Sequence, residues 1–167
     1  MKLKDLKDED FVNYSKPSMY LIFPSCDFKC DIENGCSLCQ NSSLAHLPNI
    51  EKGIAGILAR YADNPITKAI VCGGLEPFDS AEDLLELIVA ARNLFKIDDD
   101  IVIYTGYTEE ELKHNKIFKQ IVDHKNIIVK FGRFIPNQNS HYDEILGVKL
   151  ASDNQYAKRY NYVRHTH

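Results

Sequence analysis

Five cysteines occur in the 167 residues, and four of them, Cys26, Cys30, Cys36 and Cys39, fall in one short stretch. The spacing is C-x3-C, then five intervening residues, then C-x2-C. Thiolates in a small loop are ligands for zinc or for iron–sulfur clusters. Four ligands suit a structural zinc or a closed cluster, whereas three leave one iron of a four-iron cluster open to a substrate. A tetrathiolate zinc site usually shows two tight pairs separated by a longer loop. Here both pairs are compressed into the 14 residues from Cys26 to Cys39, which favours a cluster over a zinc knuckle. The fifth cysteine, Cys72, ends an apolar run and reads as core packing.

A loop of this kind needs a scaffold. It follows the apolar run Ser18 to Phe23, a strand ended by Pro24. Further strands are expected at Thr67 to Cys72, Asp100 to Thr105 and Asn126 to Phe131, and a fifth at Ile145 to Leu150. Helices are expected between them. Ile50 to Tyr61 carries apolar residues at helical spacing after a candidate cap, Asn49, and Asn64-Pro65 stops it. Ser80 to Phe95 opens on a Ser-x-x-Asp signature. Thr108 caps a third helix with Glu109, Glu110 and Glu111 in its first turn, and that helix continues or restarts through Ile117 to Val122. Residues 1–16 are charged, with Leu3, Leu6 and Phe11 as anchors for a short helix or arm. Strands alternating with helices at this spacing predict an α/β fold with a mainly parallel sheet and right-handed crossovers. In such folds chemistry gathers at the carboxyl ends of the strands. That edge would collect the cysteine loop, Gly73-Gly74-Leu75-Glu76-Pro77, Thr105-Gly106-Tyr107 and Gly132-Arg133-Phe134.

The motifs, in this order, resemble those of radical S-adenosylmethionine enzymes. They are similar specifically to the small activating proteins of anaerobic ribonucleotide reductase, a glycyl-radical activase family. The resemblance rests on the loop ending Cys39-Gln40-Asn41, on Gly73-Gly74-Leu75-Glu76-Pro77 beside the family's Gly-Gly-Glu-Pro, on Tyr104-Thr105-Gly106-Tyr107-Thr108, and on Ser152-Asp153-Asn154-Gln155. It spans about residues 18–157 of what reads as one domain over 1–167. It implies a small partial (β/α) barrel with an open, mainly parallel sheet. It also implies a [4Fe–4S] cluster on Cys26, Cys30 and Cys39, with Cys36 as an alternate ligand, and S-adenosylmethionine bound near Gly73, Gly74, Glu76, Thr105, Arg133 and Asn154. The activity implied is reductive cleavage of S-adenosylmethionine and hydrogen abstraction from a glycine of a partner glycyl-radical enzyme, with a flavodoxin or ferredoxin as electron donor. Three departures stand out. Eight residues separate Cys30 from Cys39 where the family has two, Leu75 is inserted in the glycine turn, and Phe131-Gly132-Arg133-Phe134 replaces Asp-Gly-x-Phe. The same radical chemistry on another small molecule or peptide is the first alternative. A non-catalytic zinc or electron-transfer module is the second.

Bulk properties are consistent with this reading. The chain is 44% hydrophobic and 26% charged, with a formal charge of −4, so it lacks the basic excess of a general nucleic-acid binder. No apolar run approaches the roughly 18 residues that cross a bilayer. The opening residues alternate Lys with Asp and Glu instead of forming a signal peptide, so the expected location is the cytoplasm, where clustered thiols bind metal more readily than they pair. The six histidines show no ligand spacing beyond His165-x-His167 and receive no role.

Overall fold

The structure is a computed structural model that describes residues 1–35, 39 and 41–161. Cys36, Gln40, Tyr162, His165 and His167 lie outside the described residues. In chain order the strands and helices are β1 (Lys2–Leu3), β2 (Asp5–Asp10), β3 (Ser18–Phe23), α1 (Lys29–Asn34), β4 (Ile50–Glu51), α2 (Ile54–Asp63), β5 (Ala69–Gly74), α3 (Ala81–Asn93), β6 (Asp100–Tyr104), α4 (Glu109–Leu112), α5 (Lys116–Val122), β7 (Ile127–Phe131), β8 (His141–Asp143), β9 (Val148–Leu150) and β10 (Tyr156–Tyr160).

Four short apolar strands, β3, β5, β6 and β7, lie side by side in sequence order and are parallel. Being buried on both faces, they show continuous hydrophobic runs instead of alternation. Antiparallel strands close both flanks. β2 pairs with β3, Leu6 opposite Leu21, and β10 pairs with β7, Tyr156 opposite Phe131. The result is an open six-stranded mixed α/β sheet in the order β10-β7-β6-β5-β3-β2.

The two faces of the sheet are covered differently. Met19, Leu21, Phe23, Ile70, Cys72, Ile101, Ile103, Ile127, Val129 and Phe131 pack on one side with residues of α2, α3, α4 and α5. The helices α2 to α5 are thus on that side, as a right-handed winding through sequentially ordered strands requires. On the other face Ala69, Val71, Val102 and Ile128 meet Tyr14, Leu146, Leu150 and Ala157, contributed by the N-terminal arm, the β8–β9 hairpin and β10. Cys72 is fully buried in the helix-side core, as expected.

Several expectations need correction. Of the two forms expected for residues 1–16, the arm is present, as strands β1 and β2, and the helix is not. Leu3 is buried and Leu6 packs on the core, but Phe11 is 63% exposed. Ile50 pairs with Leu3 in a two-stranded ladder, so the helix expected from Ile50 begins at Ile54, with Gly53 and not Asn49 at its N-cap. Ser80 occupies the N-cap of α3, yet its side chain makes no capping hydrogen bond, because the chain arrives through a 3₁₀ turn, Pro77–Ser80. The Thr108–Glu111 capping box does form. The helix after it restarts at Lys116, where the Asn115 side chain accepts the Phe118 N–H at 3.0 Å. Of Ile145 to Leu150 only Val148–Leu150 is strand, and it pairs with β8 outside the main sheet.

Candidate metal centre

The cysteine loop leaves β3 at the carboxyl rim of the sheet and is fastened to the neighbouring rim segments. The Glu76 N–H donates to the Ser25 carbonyl at 2.9 Å, tying the loop entry to the turn after β5. The Asp27 N–H donates to Asp79 Oδ2 at 3.1 Å, and the Tyr107 hydroxyl donates to Asp79 Oδ1 at 2.8 Å. Within the loop, α1 carries Cys30 and ends at Gly35, whose φ of 68° turns the chain. Asp31 Oδ1 on α1 accepts the Cys39 N–H at 2.8 Å. The described part of the Cys30-to-Cys39 stretch is thus the short helix α1 ending at Gly35, and Cys39 and Cys26 line the same cavity.

That cavity has a volume of about 340 Å³, within the usual range for small-molecule sites. Its walls bring together Cys26, Cys39, Gly74, Glu76, Thr105 and Arg133 from the expected set. Gly73 and Asn154 are not among the lining residues. Gly73 packs against Tyr20 and Tyr104, with 3.3 Å between an added Cβ and either side chain. The Asn154 amide donates to the Arg133 carbonyl at 2.7 Å and accepts from the Ser152 hydroxyl at 2.7 Å, so it holds the Gly132–Arg133 segment in place. Gly74 has φ +81°, and a Cβ there would lie 2.4 Å from Ile22 Cγ2, so only glycine fits this wall.

Glu76 is the chemical centre of the rim. It is 6% exposed, and its carboxylate accepts from Thr105 Oγ1 at 2.7 Å, the Gly106 N–H at 2.8 Å and the Phe78 N–H at 3.1 Å. The turn bearing it is anchored by Phe78, whose ring lies 5.8 Å from that of Phe118 in the core. The inserted Leu75 is buried and lines the cavity. Burial pushes Glu76 up to about 7, against the pull of its three hydrogen bonds. All three donors are neutral, so the carboxylate suits a ligand cation.

Cys26 accepts the Phe28 N–H at 3.3 Å on its Sγ, and burial pushes its thiol up to about 12. A thiol held so high is no activated nucleophile at neutral pH, and its proton leaves when a metal replaces it. The donor set is chemically suited to a soft metal: two cysteine side chains on one cavity and an amide already directed at sulfur, with Cys30 between the two cysteines in sequence. Arg133 lines the cavity but forks onto Glu111 with two bonds of 3.0 Å, and its Nε lies 3.7 Å from Glu33 of α1. Its hydrogen bonds hold Glu111 down near 2.

Sequence reasoning assigned no site role to Asn13, Tyr20, Tyr104, Lys130 and Lys149, which also line the cavity. Period-two alternation places Tyr20, Tyr104 and Lys130 on the same face of the sheet as Val71 and Val102, a signal present in the strands but unused. Asn13 and Lys149 come from segments with no such pattern.

A thiol-lined cavity at the carboxyl rim of a parallel sheet defines a protein that carries a soft metal centre. Residues 18–156 match the model of the 4Fe-4S single cluster domain, and the chain belongs to that family. The match supports a [4Fe–4S] cluster and iron–sulfur function, and speaks for iron over zinc. No curated protein and no solved structure matches the chain. Among the described residues no helix is long and apolar enough to cross a membrane.

Proposed function

We propose that this protein is a radical S-adenosylmethionine enzyme on a partial (β/α) barrel. Cys26, Cys30 and Cys39 would hold the [4Fe–4S] cluster, and S-adenosylmethionine would occupy the cavity beside it. The observation that carries the reading is Glu76, a buried carboxylate whose donors among the described residues are all neutral, in the wall that also bears Cys26. Such a group favours a ligand ammonium, and a charge-assisted bond to it orients the ligand. When bound, the cluster supplies the electron for reductive cleavage of a sulfonium carbon–sulfur bond. The chain's own residues do the rest. Gly74 allows the backbone to approach the ligand, Thr105 and Gly106 hold the carboxylate in one orientation, and Leu75 and Phe134 help to exclude water.

The resemblance to glycyl-radical activases favours a glycine of a partner enzyme as hydrogen donor, with a flavodoxin or ferredoxin delivering the electron. A second reading, the same chemistry on a small substrate, is favoured by the reach of the cavity past Glu76 to Asn13 and Lys149. Anaerobic purification tests the cluster. A brown protein whose broad absorbance bleaches with dithionite is expected, Cys39→Ala should abolish it, and a colourless zinc protein would overturn the reading. Calorimetry with S-adenosylmethionine then tests the ligand. Glu76→Gln should weaken binding about 10- to 100-fold, the value of one charge-assisted hydrogen bond. Co-purification with a glycyl-radical enzyme would separate the two substrate readings.

A further inference from the structure

The first half of the cysteine loop is organised around one aromatic side chain outside the cysteine set. Tyr107 follows β6 at the rim. Its ring has the Lys29 ammonium 4.5 Å from its centroid and the Arg133 guanidinium 5.5 Å from it. Its hydroxyl donates to Asp79, and the other oxygen of the same carboxylate accepts the Asp27 N–H. Asp27 directly follows Cys26, and Lys29 directly precedes Cys30. Arg133 also approaches Glu33, three residues after Cys30. Through its ring on Lys29 and its hydroxyl on Asp79, Tyr107 thus holds the segment between the first two cysteines at both of its ends. Tyr107, Lys29, Arg133, Cys26 and Glu76 line one small recess, which places this contact set against the loop itself.

We propose that Tyr107 is a positioning residue that sets the spacing and stability of the Cys26–Cys30 half of the metal loop. The proposal rests on cluster binding by that loop. Cation–ring contacts are directional and strengthen when partly shielded from water, so the ring fixes where Lys29, and hence the start of α1, sits. The Asp79 bridge does the same for the peptide after Cys26. Outer-shell groups of this kind commonly change metal affinity without themselves touching the metal.

The test follows cluster loss to a chelator under anaerobic conditions, alongside the electron paramagnetic resonance of the reduced protein and the melting of the metal-free chain. Tyr107→Leu should release the cluster about 10-fold faster than wild type, with a broadened or shifted resonance and an unchanged melting temperature. Tyr107→Phe keeps the ring and should restore most of the lost stability of the centre. Its residual defect should be non-additive with Asp79→Ala, since both remove one bridge. Lys29→Met, at a half-exposed side chain outside the core, should accelerate release in the same direction by a smaller factor. Wild-type release rates and spectra in both Tyr107→Leu and Lys29→Met would overturn the proposal. A wild-type protein that takes up neither iron nor sulfide would instead overturn the cluster reading beneath it.

Discussion

Two carboxylates at opposite ends of the sheet are equally buried and electrostatically opposite. Glu76, at the carboxyl rim, is 6% exposed, and Asp100, at the amino end of β6, is 5% exposed. Asp100 receives the Lys16 ammonium at 2.7 Å, the Arg159 guanidinium at 2.7 Å and the Tyr14 hydroxyl at 2.7 Å. Burial pushes its pKa up, but these bonds outweigh it and hold the group down near 2. Among the described residues Glu76 has two amides and one hydroxyl as donors and no cation, and burial pushes it up to about 7. The fold thus commits two charged side chains, from the N-terminal arm and from β10, to neutralising the carboxylate that holds it together. It leaves the carboxylate facing the cavity without one. A buried charge whose counter-charge lies within the chain reads as structure, and one that lacks it reads as a place for a ligand.

The contrast can be broken from either end. Asp100→Ala should have the largest effect. It strands two cations and unpins the N-terminal arm from β6 and β10, and should cost on the order of 3 kcal/mol by chemical denaturation. Ligand affinity of the folded fraction should be unchanged, and a loss of binding larger than the loss of folded protein would erase the division between the two rims. The pH dependence comes next. Glu76 is raised above its unfolded value, so its neutral form is favoured by folding. The metal-free protein should therefore lose about 2–3 kcal/mol as pH rises from 4.5 through 7. Glu76→Gln should flatten that slope, and an unaltered slope in the variant would remove Glu76 as its source. Asp100 has the opposite sign. Its contribution is complete above about pH 4 and disappears as pH falls through about 2, so the Asp100→Ala variant should show a shallower acid limb than wild type. Lys16→Met should give the smallest change, under about 1 kcal/mol, because Lys16 is half exposed and Arg159 still holds the carboxylate. A cost as large as that of Asp100→Ala would mean that Lys16 alone carries the clasp.

The parts of the molecule that could be read in one dimension share a physical trait. β3, β6 and β7 are short, largely apolar runs buried on both faces, so composition alone marks them. β2 reads Asp-Leu-Lys-Asp-Glu-Asp and has no such mark. It is a strand because β3 offers an unpaired edge and one face stays in water. β10 was missed for the same reason. Ile50 looked like the start of a helix by spacing, and pairing with Leu3 from the far end of the chain took it into a ladder instead. In the candidate centre, the cysteines and Glu76 were legible by residue type. The short helix α1 was not, because its contacts, Asp31 to Cys39 and Glu33 to Arg133, involve partners outside the helix.

Residue chemistry and local spacing by themselves determined that this chain carries a soft-metal loop, four core strands, and a glycine turn followed by a carboxylate. Each of these rests on interactions within a few residues of chain. Only the tertiary structure decided that Glu76 meets neutral donors while Asp100 meets cations, and that Tyr107 braces the loop. Those outcomes depend on partners dozens of residues away, brought within hydrogen-bonding distance by sheet order and register. A charge acquires its sign of effect from what is packed against it, which no local pattern records.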